Sequence, residues 1–229
     1  MNRRYRFDSV ILDNGKTDGI CSSSAKRILR NTYFLLALCL GLSAIATAVT
    51  IVWQLPHPGF LITLAGYFGL LFLVTRNRHN GLGILFVLAL TGFMGYTLGP
   101  IVGHYLRLPH GNETVLMALG GTSLIFIVMS GIALFSRRDF SFLSSFLTTG
   151  ILVAFLASII AVFFEISALS LAVSAVFVLL MSGLILHETN RIVHNGETNY
   201  IMVTVTLFVA FFNLFSSLLH LLGFTGRSD

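Results

Sequence analysis

Residues 81–103, which read GLGILFVLALTGFMGYTLGPIVG, contain no Asp, Glu, Lys or Arg. A helix of about 20 apolar residues crosses the ~30 Å hydrocarbon core of a bilayer, so this stretch is long enough to span a membrane. The backbone finds no water inside the core, which leaves a helix or a closed barrel as spanning structures. Barrel strands would alternate apolar and polar residues, and this stretch does not. It therefore predicts a transmembrane helix.

Six further stretches have the same character, and all charged residues of the chain lie outside the seven. The seven are Asn31–Trp53, Pro58–Thr75, Gly81–Gly103, Thr114–Phe135, Phe140–Phe164, Ile166–His187 and Tyr200–Phe224. Charged residues make up only 10% of the chain, whereas a soluble domain carries about 25% to cover its surface. The sequence predicts an all-α polytopic membrane protein, a bundle of seven transmembrane helices within residues 31–224.

Basic residues are divided unequally between the two ends of this predicted bundle. If the chain crosses seven times, the end that holds the N-terminus carries most of them. They are Arg3, Arg4, Arg6, Lys16, Lys26, Arg27, Arg30, Arg76, Arg78, Arg137, Arg138 and Arg191. The other end has only Arg107 and Arg227. Because Lys and Arg stay on the untranslocated side, we expect a cytosolic N-terminus and a periplasmic C-terminus.

Short polar segments flank the predicted bundle. Residues 1–30 include the Ser22-Ser23-Ser24 run and several basic and acidic residues, a composition that cannot bury a core. We interpret residues 1–30 as a mobile basic cytosolic tail and residues 225–229 as a short outer tail. The net charge of +5 suits an anionic membrane leaflet and gives no reason to propose a nucleic-acid partner.

Small residues predict how the third helix packs. Gly92, Gly95, Gly99 and Gly103 recur at steps of three and four residues and so share one face. Such a face lets two helix backbones approach closely, and plain packing is the simpler role for each glycine. Pro100 should kink or break the helix near its outer end, so a hinge is the alternative role.

Glu188 is the acidic residue of most interest. It follows the sixth apolar stretch at the predicted cytosolic end, next to His187 and close to Arg191. A hydrated carboxylate at the membrane interface is one interpretation. The other is a carboxylate at the mouth of a cavity, whose protonation or pairing with Arg76 or Arg78 biases a gate, because acids at membrane depth are usually functional.

Asn213 lies midway along the last apolar stretch, between Phe211-Phe212 and Leu214-Phe215. An amide in hydrocarbon needs a hydrogen-bond partner, and a backbone or hydroxyl group on a neighbouring helix is the simplest expectation. Asn213 therefore predicts a polar contact that holds two helices together.

No pattern in the chain predicts catalysis, a cofactor or a metal. His187-Glu188 begins like the zinc-binding HExxH helix, but Arg191 stands where the second histidine would be. A phosphate-binding glycine loop, a CxxC pair and a nucleophile elbow are all absent from the sequence. The bilayer is the one partner that composition alone predicts.

Two motifs in the last two stretches resemble a known family. They are Ser182-Gly183-Leu184-Ile185-Leu186-His187-Glu188-Thr189-Asn190-Arg191-Ile192 and Phe211-Phe212-Asn213-Leu214-Phe215, the latter followed by Leu218-Leu219 and Leu222-Gly223. They are similar to the sixth and last helices of the Bax inhibitor-1 family. Five more segments resemble its bacterial YccA-like branch: RNTYFLL at 30–36, TGFMGY at 91–96, MALGGT at 117–122, DFSFL at 139–143 and GETNYI at 196–201.

The resemblance implies two different functions. The YccA-like branch is associated with the membrane-anchored AAA protease of the FtsH type, which implies a non-catalytic modulator in the bacterial inner membrane. The broader family is described as pH-sensitive calcium leak channels gated by two acids, which implies Ca²⁺ or H⁺ as partners. Glu188 matches the first acid. Ala210 stands at the position of the second, so a shared-proton gate lacks one carboxylate here.

Overall fold

The computed structural model describes residues 23–136, 140–195 and 199–225, and these fold into seven α-helices. The helices are α1 (Ser23–Val52), α2 (Phe60–Arg76), α3 (Leu82–Leu106), α4 (Gly111–Phe135), α5 (Leu143–Phe163), α6 (Ser167–Asn195) and α7 (Tyr200–Thr225). No strand occurs in these ranges. The predicted all-α class and the seven helices are confirmed.

Length and composition make six of the helices candidate membrane spans, all except α2. Their outer surfaces are apolar: Phe146 is 69% exposed, Leu179 74% and Phe135 85%. Water would penalise this much exposed hydrocarbon, whereas lipid does not. The molecule is therefore a polytopic membrane helical bundle.

α2 is shorter than the other helices, with 17 residues. At 1.5 Å per residue it is about 25 Å long, slightly less than the hydrocarbon core. Its N-terminal approach lies beside the middle of α3, where the Tyr96 hydroxyl donates to the Pro56 carbonyl at 2.9 Å. Its C-terminal end lies beside the start of α7, where Asn199 Nδ2 donates to the Arg78 carbonyl at 2.6 Å. α2 thus runs antiparallel to α3 from one end of the bundle toward the other.

α7 is the central helix, in contact with α1, α3, α4 and α6. Of the six candidate spans it is the most enclosed. In α7, 56% of an apolar stretch of 18 residues is buried, against 17% of the corresponding stretches of α4 and α5. α2 packs on α3, and α5 packs on α6. The largest buried side chains include Phe208, Leu207 and Leu214, all on α7. The core of the bundle is therefore built around α7.

Two helices extend about two turns beyond the apolar stretches that predict them. α1 begins at Ser23, so it includes the last residues of the segment interpreted as a tail up to residue 30. α6 continues two turns past His187 to Asn195. Both extensions carry polar or charged residues, which end an apolar stretch but do not end a helix. The predicted tails at residues 1–22 and 226–229, together with Arg137 and Arg138, lie outside the described residues.

Candidate functional site

Four successive residues of α6 are buried near its C-terminal end. His187 is 8% exposed, Glu188 5%, Thr189 0% and Asn190 2%. Each residue turns a helix by about 100°, so four in a row face every direction. α6 is therefore enclosed on all sides at this level, and its neighbours are α1, α4, α5 and α7. We call these four residues the α6 polar segment.

Glu188 is paired with a cation from its own helix. Its Oε1 lies 3.4 Å from Nη1 of Arg191, one turn further on, and 3.8 Å from Nδ1 of His187. The other carboxylate oxygen, Oε2, is buried and has no hydrogen-bond partner among the described residues. The interpretation of Glu188 as a hydrated interfacial group is wrong, because the neighbouring helices exclude water from most of its side chain.

Arg76 or Arg78 was the partner predicted for Glu188. Within the described ranges neither forms an ion pair with it, and the contacting guanidinium belongs to Arg191. Arg76 is exposed in the last turn of α2, and Arg78 Nε donates to Nε2 of His79 at 3.2 Å. The difference arises because α6 continues past Glu188, which places Arg191 one turn away on the same helix.

Hydrogen bonds tie the α6 polar segment to the rest of the bundle. The hydroxyl groups of Tyr33 on α1 and Thr189 lie 3.4 Å apart. The Phe140 amide, just before α5, donates to Asn190 Oδ1 at 3.2 Å. Thr204 Oγ1 on α7 lies 3.4 Å from the Thr32 carbonyl on α1. Polar groups of α1, α6 and α7 and of the segment before α5 therefore lie together at one end of the bundle.

Arg191 was placed close to Glu188 from the sequence but not predicted as its partner, and Tyr33 and Thr204 were not identified as members of this cluster. The spacing of Glu188 and Arg191, three residues apart, could have revealed their pairing. Tyr33 and Thr204 depend on which faces of α1 and α7 turn inward, and no local pattern encodes that.

Ala210, at the position of the absent second acid, is fully buried on α7. It belongs to the same apolar cluster as Ile185 and Leu214. This part of the molecule is packed with hydrocarbon side chains, so Ala210 offers no second group to share a proton with Glu188.

The glycine face of α3 packs against α1. A Cβ atom on Gly95 would overlap the Ser43 carbonyl, and one on Gly99 would overlap Thr50. Thr47 Oγ1 also donates to the Gly95 carbonyl at 2.9 Å. At Gly92 the nearest atom would be 3.8 Å away, so that glycine is not in tight contact.

α3 runs through Pro100 to Leu106 as one helix. Pro100 therefore does not break the helix, whereas a kink or hinge at Pro100 stays a prediction.

Asn213 bonds within its own helix. Its Nδ2 donates to the Val209 carbonyl at 2.8 Å, which corrects the expectation of a partner on a neighbouring helix. A helical carbonyl one turn back is always within reach of a short amide side chain. The other side of Asn213 lines a cavity between helices.

The arrangement provides a buried carboxylate beside a guanidinium and an imidazole. In the described part of the chain, no three His, Cys, Asp or Glu side chains are grouped so as to hold a metal ion. The five principal cavities do not include Glu188 in their walls. The site holds a buried carboxylate paired with Arg191, and contacts among α1, α6 and α7 enclose it.

The chain is similar to a known protein family and to several bacterial proteins. A family model described as "Inhibitor of apoptosis-promoting Bax1" matches residues 25–227. A protein of Escherichia coli strain K12 named "Modulator of FtsH protease YccA" is 48% identical over 204 residues, or 89% of this chain and 93% of that protein. The protein named "Inner membrane protein YccA" in E. coli O6:H1 has the same identity and coverage. An uncharacterized protein of Pseudomonas aeruginosa is 43% identical over 227 residues, 99% of each chain.

Proposed function

The chain belongs to the Bax inhibitor-1 family, and from this premise we propose that it modulates a membrane-anchored AAA protease of the FtsH type by direct contact, without catalysis. The observation that carries the proposal is the 48% identity to the E. coli protein named as a modulator of FtsH, which extends over nearly the whole of both chains. Like the relative named an inner membrane protein, this chain is a protein of the bacterial inner membrane.

The packing of the bundle supports a modulator that resists extraction. An ATP-driven protease pulls on a free end of its substrate, and residues 1–22 precede α1. Force applied there would load the contact between α1 and α3, where backbones meet at Gly95 without an intervening side chain. α7 lies behind both helices. Extraction of α1 would therefore disrupt the core, so the protease would bind the chain without unfolding and degrading it.

Co-purification and a turnover assay test the proposal. The full chain, expressed in its bacterial host with a C-terminal tag, should recover the FtsH-type protease from detergent-solubilised membranes. In proteoliposomes it should slow degradation of a membrane substrate by that protease. Absence of the protease from the purified material, together with unchanged substrate turnover, would end the proposal.

A matched pair of variants tests the part played by the N-terminal segment. Deletion of residues 2–22 should relieve the slowing of substrate degradation. Replacement of these residues by a Gly/Ser segment of equal length should preserve engagement of the protease if it needs only a free end. If the deletion variant slows turnover as well as the parent does, the contact is made by the helices instead.

A cation leak centred on Glu188 is the second candidate, favoured by one observation. Glu188 is 5% exposed, and its Oε2 has no partner among the described residues, so this oxygen is available to a cation. Ca²⁺ and H⁺ are the permeants to test.

Flux through proteoliposomes separates the two candidates. If the chain conducts, Glu188→Gln should alter the Ca²⁺ flux. Glu113→Gln is the control, because Glu113 is an exposed carboxylate in the first turn of α4, and it should leave the flux unchanged. Identical flux in the parent and the Glu188 variant would count against a leak.

A further inference from the structure

A cavity of about 540 Å³ lies between α2 and α5 and is closed from behind by α3, α6 and α7. Tyr67, Phe68, Met94, Phe155, Met181 and Asn213 are among its walls. Its volume lies within the range of about 300–1,000 Å³ that is typical of small-molecule sites. We propose that this cavity binds an uncharged lipid with an apolar body and a single hydroxyl group.

Two polar groups in the wall are available to such a ligand. Asn213 uses its Nδ2 in the bond to Val209, and its Oδ1 makes no hydrogen bond with another described residue. The Tyr67 hydroxyl likewise makes none within the described part of the chain. An unused acceptor and an unused donor in hydrocarbon are unfavourable, and a ligand hydroxyl can donate to Asn213 Oδ1 or accept from the Tyr67 hydroxyl.

The other hydroxyl groups of the wall are already used. Thr63 Oγ1 donates to the Gly59 carbonyl at 2.8 Å, and Thr148 Oγ1 donates to the Ser144 carbonyl at 2.8 Å. The remaining lining side chains are aliphatic, aromatic or thioether groups. No charged residue lines the cavity, so a charged headgroup would enter without a counter-charge at a high desolvation cost. The wall therefore selects a neutral ligand with one small polar group.

The cavity opens toward the bilayer between α2 and α5. These two helices meet through edge-to-face aromatic pairs, Phe60 with Phe163 at 6.2 Å and Phe68 with Phe155 at 6.4 Å between ring centroids. Phe60, Phe68 and Phe163 are exposed on the outer surface. Rings can rotate aside more readily than packed backbones can separate, so a lipid can enter from the side without unfolding the bundle.

Photolabelling of the full chain in nanodiscs tests the proposal. The probe is octadecan-1-ol with a mid-chain diazirine, and its control is the methyl ether of the same probe, which cannot donate a hydrogen bond. We expect the alcohol to label peptides of α2 and α5 about fivefold more than the ether, the discrimination of roughly one hydrogen bond. An excess of unlabelled octadecan-1-ol should reduce the labelling.

Variants tie the labelling to the two polar groups. Tyr67→Phe and Asn213→Leu should each lower labelling by the alcohol toward the level of the ether. Tyr33→Phe is the matched control, because it removes a hydroxyl that contacts Thr189 on α6 outside this cavity, and it should label like the parent. Tyr67→Phe keeps the ring and stands alone as a test if Asn213→Leu fails to fold.

Equal labelling by the alcohol and the ether would overturn the proposal. So would labelling that is unchanged in Tyr67→Phe, or the absence of label from α2 and α5.

Discussion

Glu188 and Arg191 form an ion pair in which the two partners differ in contact with solvent. The Glu188 side chain is 7% exposed and the Arg191 side chain 39%. A guanidinium that loses its partner can turn toward water, whereas a buried carboxylate cannot. The cost of breaking the pair therefore depends on which residue is changed.

The first prediction follows from this asymmetry. Arg191→Met leaves a buried charge without a cation and should lower the free energy of unfolding by about 1–3 kcal/mol. Glu188→Gln keeps the shape and frees Arg191 to be solvated, so it should cost less. The double variant should recover part of the loss, as in a double-mutant cycle. Denaturant titration of the purified protein in detergent measures all three, and a larger loss for Glu188→Gln than for Arg191→Met would contradict the argument.

At this scale the sequence predicted the residue types but not their partners. It identified Glu188, His187 and Asn213 as unusual polar groups for their positions. It assigned Glu188 to Arg76 or Arg78 because an uncharged stretch ends at the first charge, although the helix does not. Burial and side-chain direction depend on contacts between distant segments, and these are set by the whole fold.

At the scale of elements, the close approach of α1 and α3 depends on only part of the glycine face. The steps of three and four residues correctly predicted a packing surface on α3. They could not show that Gly95 and Gly99 make the tight contact while Gly92 does not, because the crossing of two helices brings their backbones together over only a short length.

The second prediction uses this difference within one helix. Gly95→Ala would place a methyl group against the Ser43 backbone, which cannot rotate away, and should destabilise by about 1–3 kcal/mol through overpacking. Gly92→Ala adds the same methyl group at 3.8 Å from its nearest neighbour, an ordinary van der Waals distance, and should be neutral or slightly stabilising, because alanine favours a helix. Thermal unfolding in detergent compares them, and equal melting temperatures would show that the two helices adjust freely.

At the scale of the whole molecule, polar contacts group the chain connections at one end. Tyr33 near the start of α1 meets Thr189 near the end of α6, and Asn199 before α7 bonds to the Arg78 carbonyl after α2. This is the end where the sequence places most of the basic residues. The pattern of charges predicted which connections lie together, whereas the side of the membrane on which they lie stays a prediction.

The third prediction concerns that orientation. In a chain with Cys21→Ser, Lys26→Cys on α1 should be protected from a membrane-impermeant maleimide applied to cells with a permeabilised outer membrane. Arg107→Cys should react, because it lies at the opposite end and is exposed. Cys39 is buried and should contribute little label. Labelling at residue 26 and protection at residue 107 would reverse the orientation and place the N-terminus in the periplasm.

The fourth prediction concerns α2, on which the number of crossings depends. Its 17 residues are the fewest of the seven helices, so a re-entrant helix is the competing arrangement. The contacts of Pro56 with the second half of α3, and of Arg78 with the start of α7, place the ends of α2 at different levels of the bundle.

In the same labelling assay, His57→Cys should react and His79→Cys should be protected. Reaction at both positions, or protection at both, would mean six crossings and would put the C-terminus on the same side as the N-terminus. A helix this short does not span the full thickness of the hydrocarbon core. If α2 crosses, the bilayer must thin locally, or flanking polar residues must extend to the interface so that no backbone group is left in lipid without a hydrogen bond. The polar residues just outside both ends of α2 are suited to that.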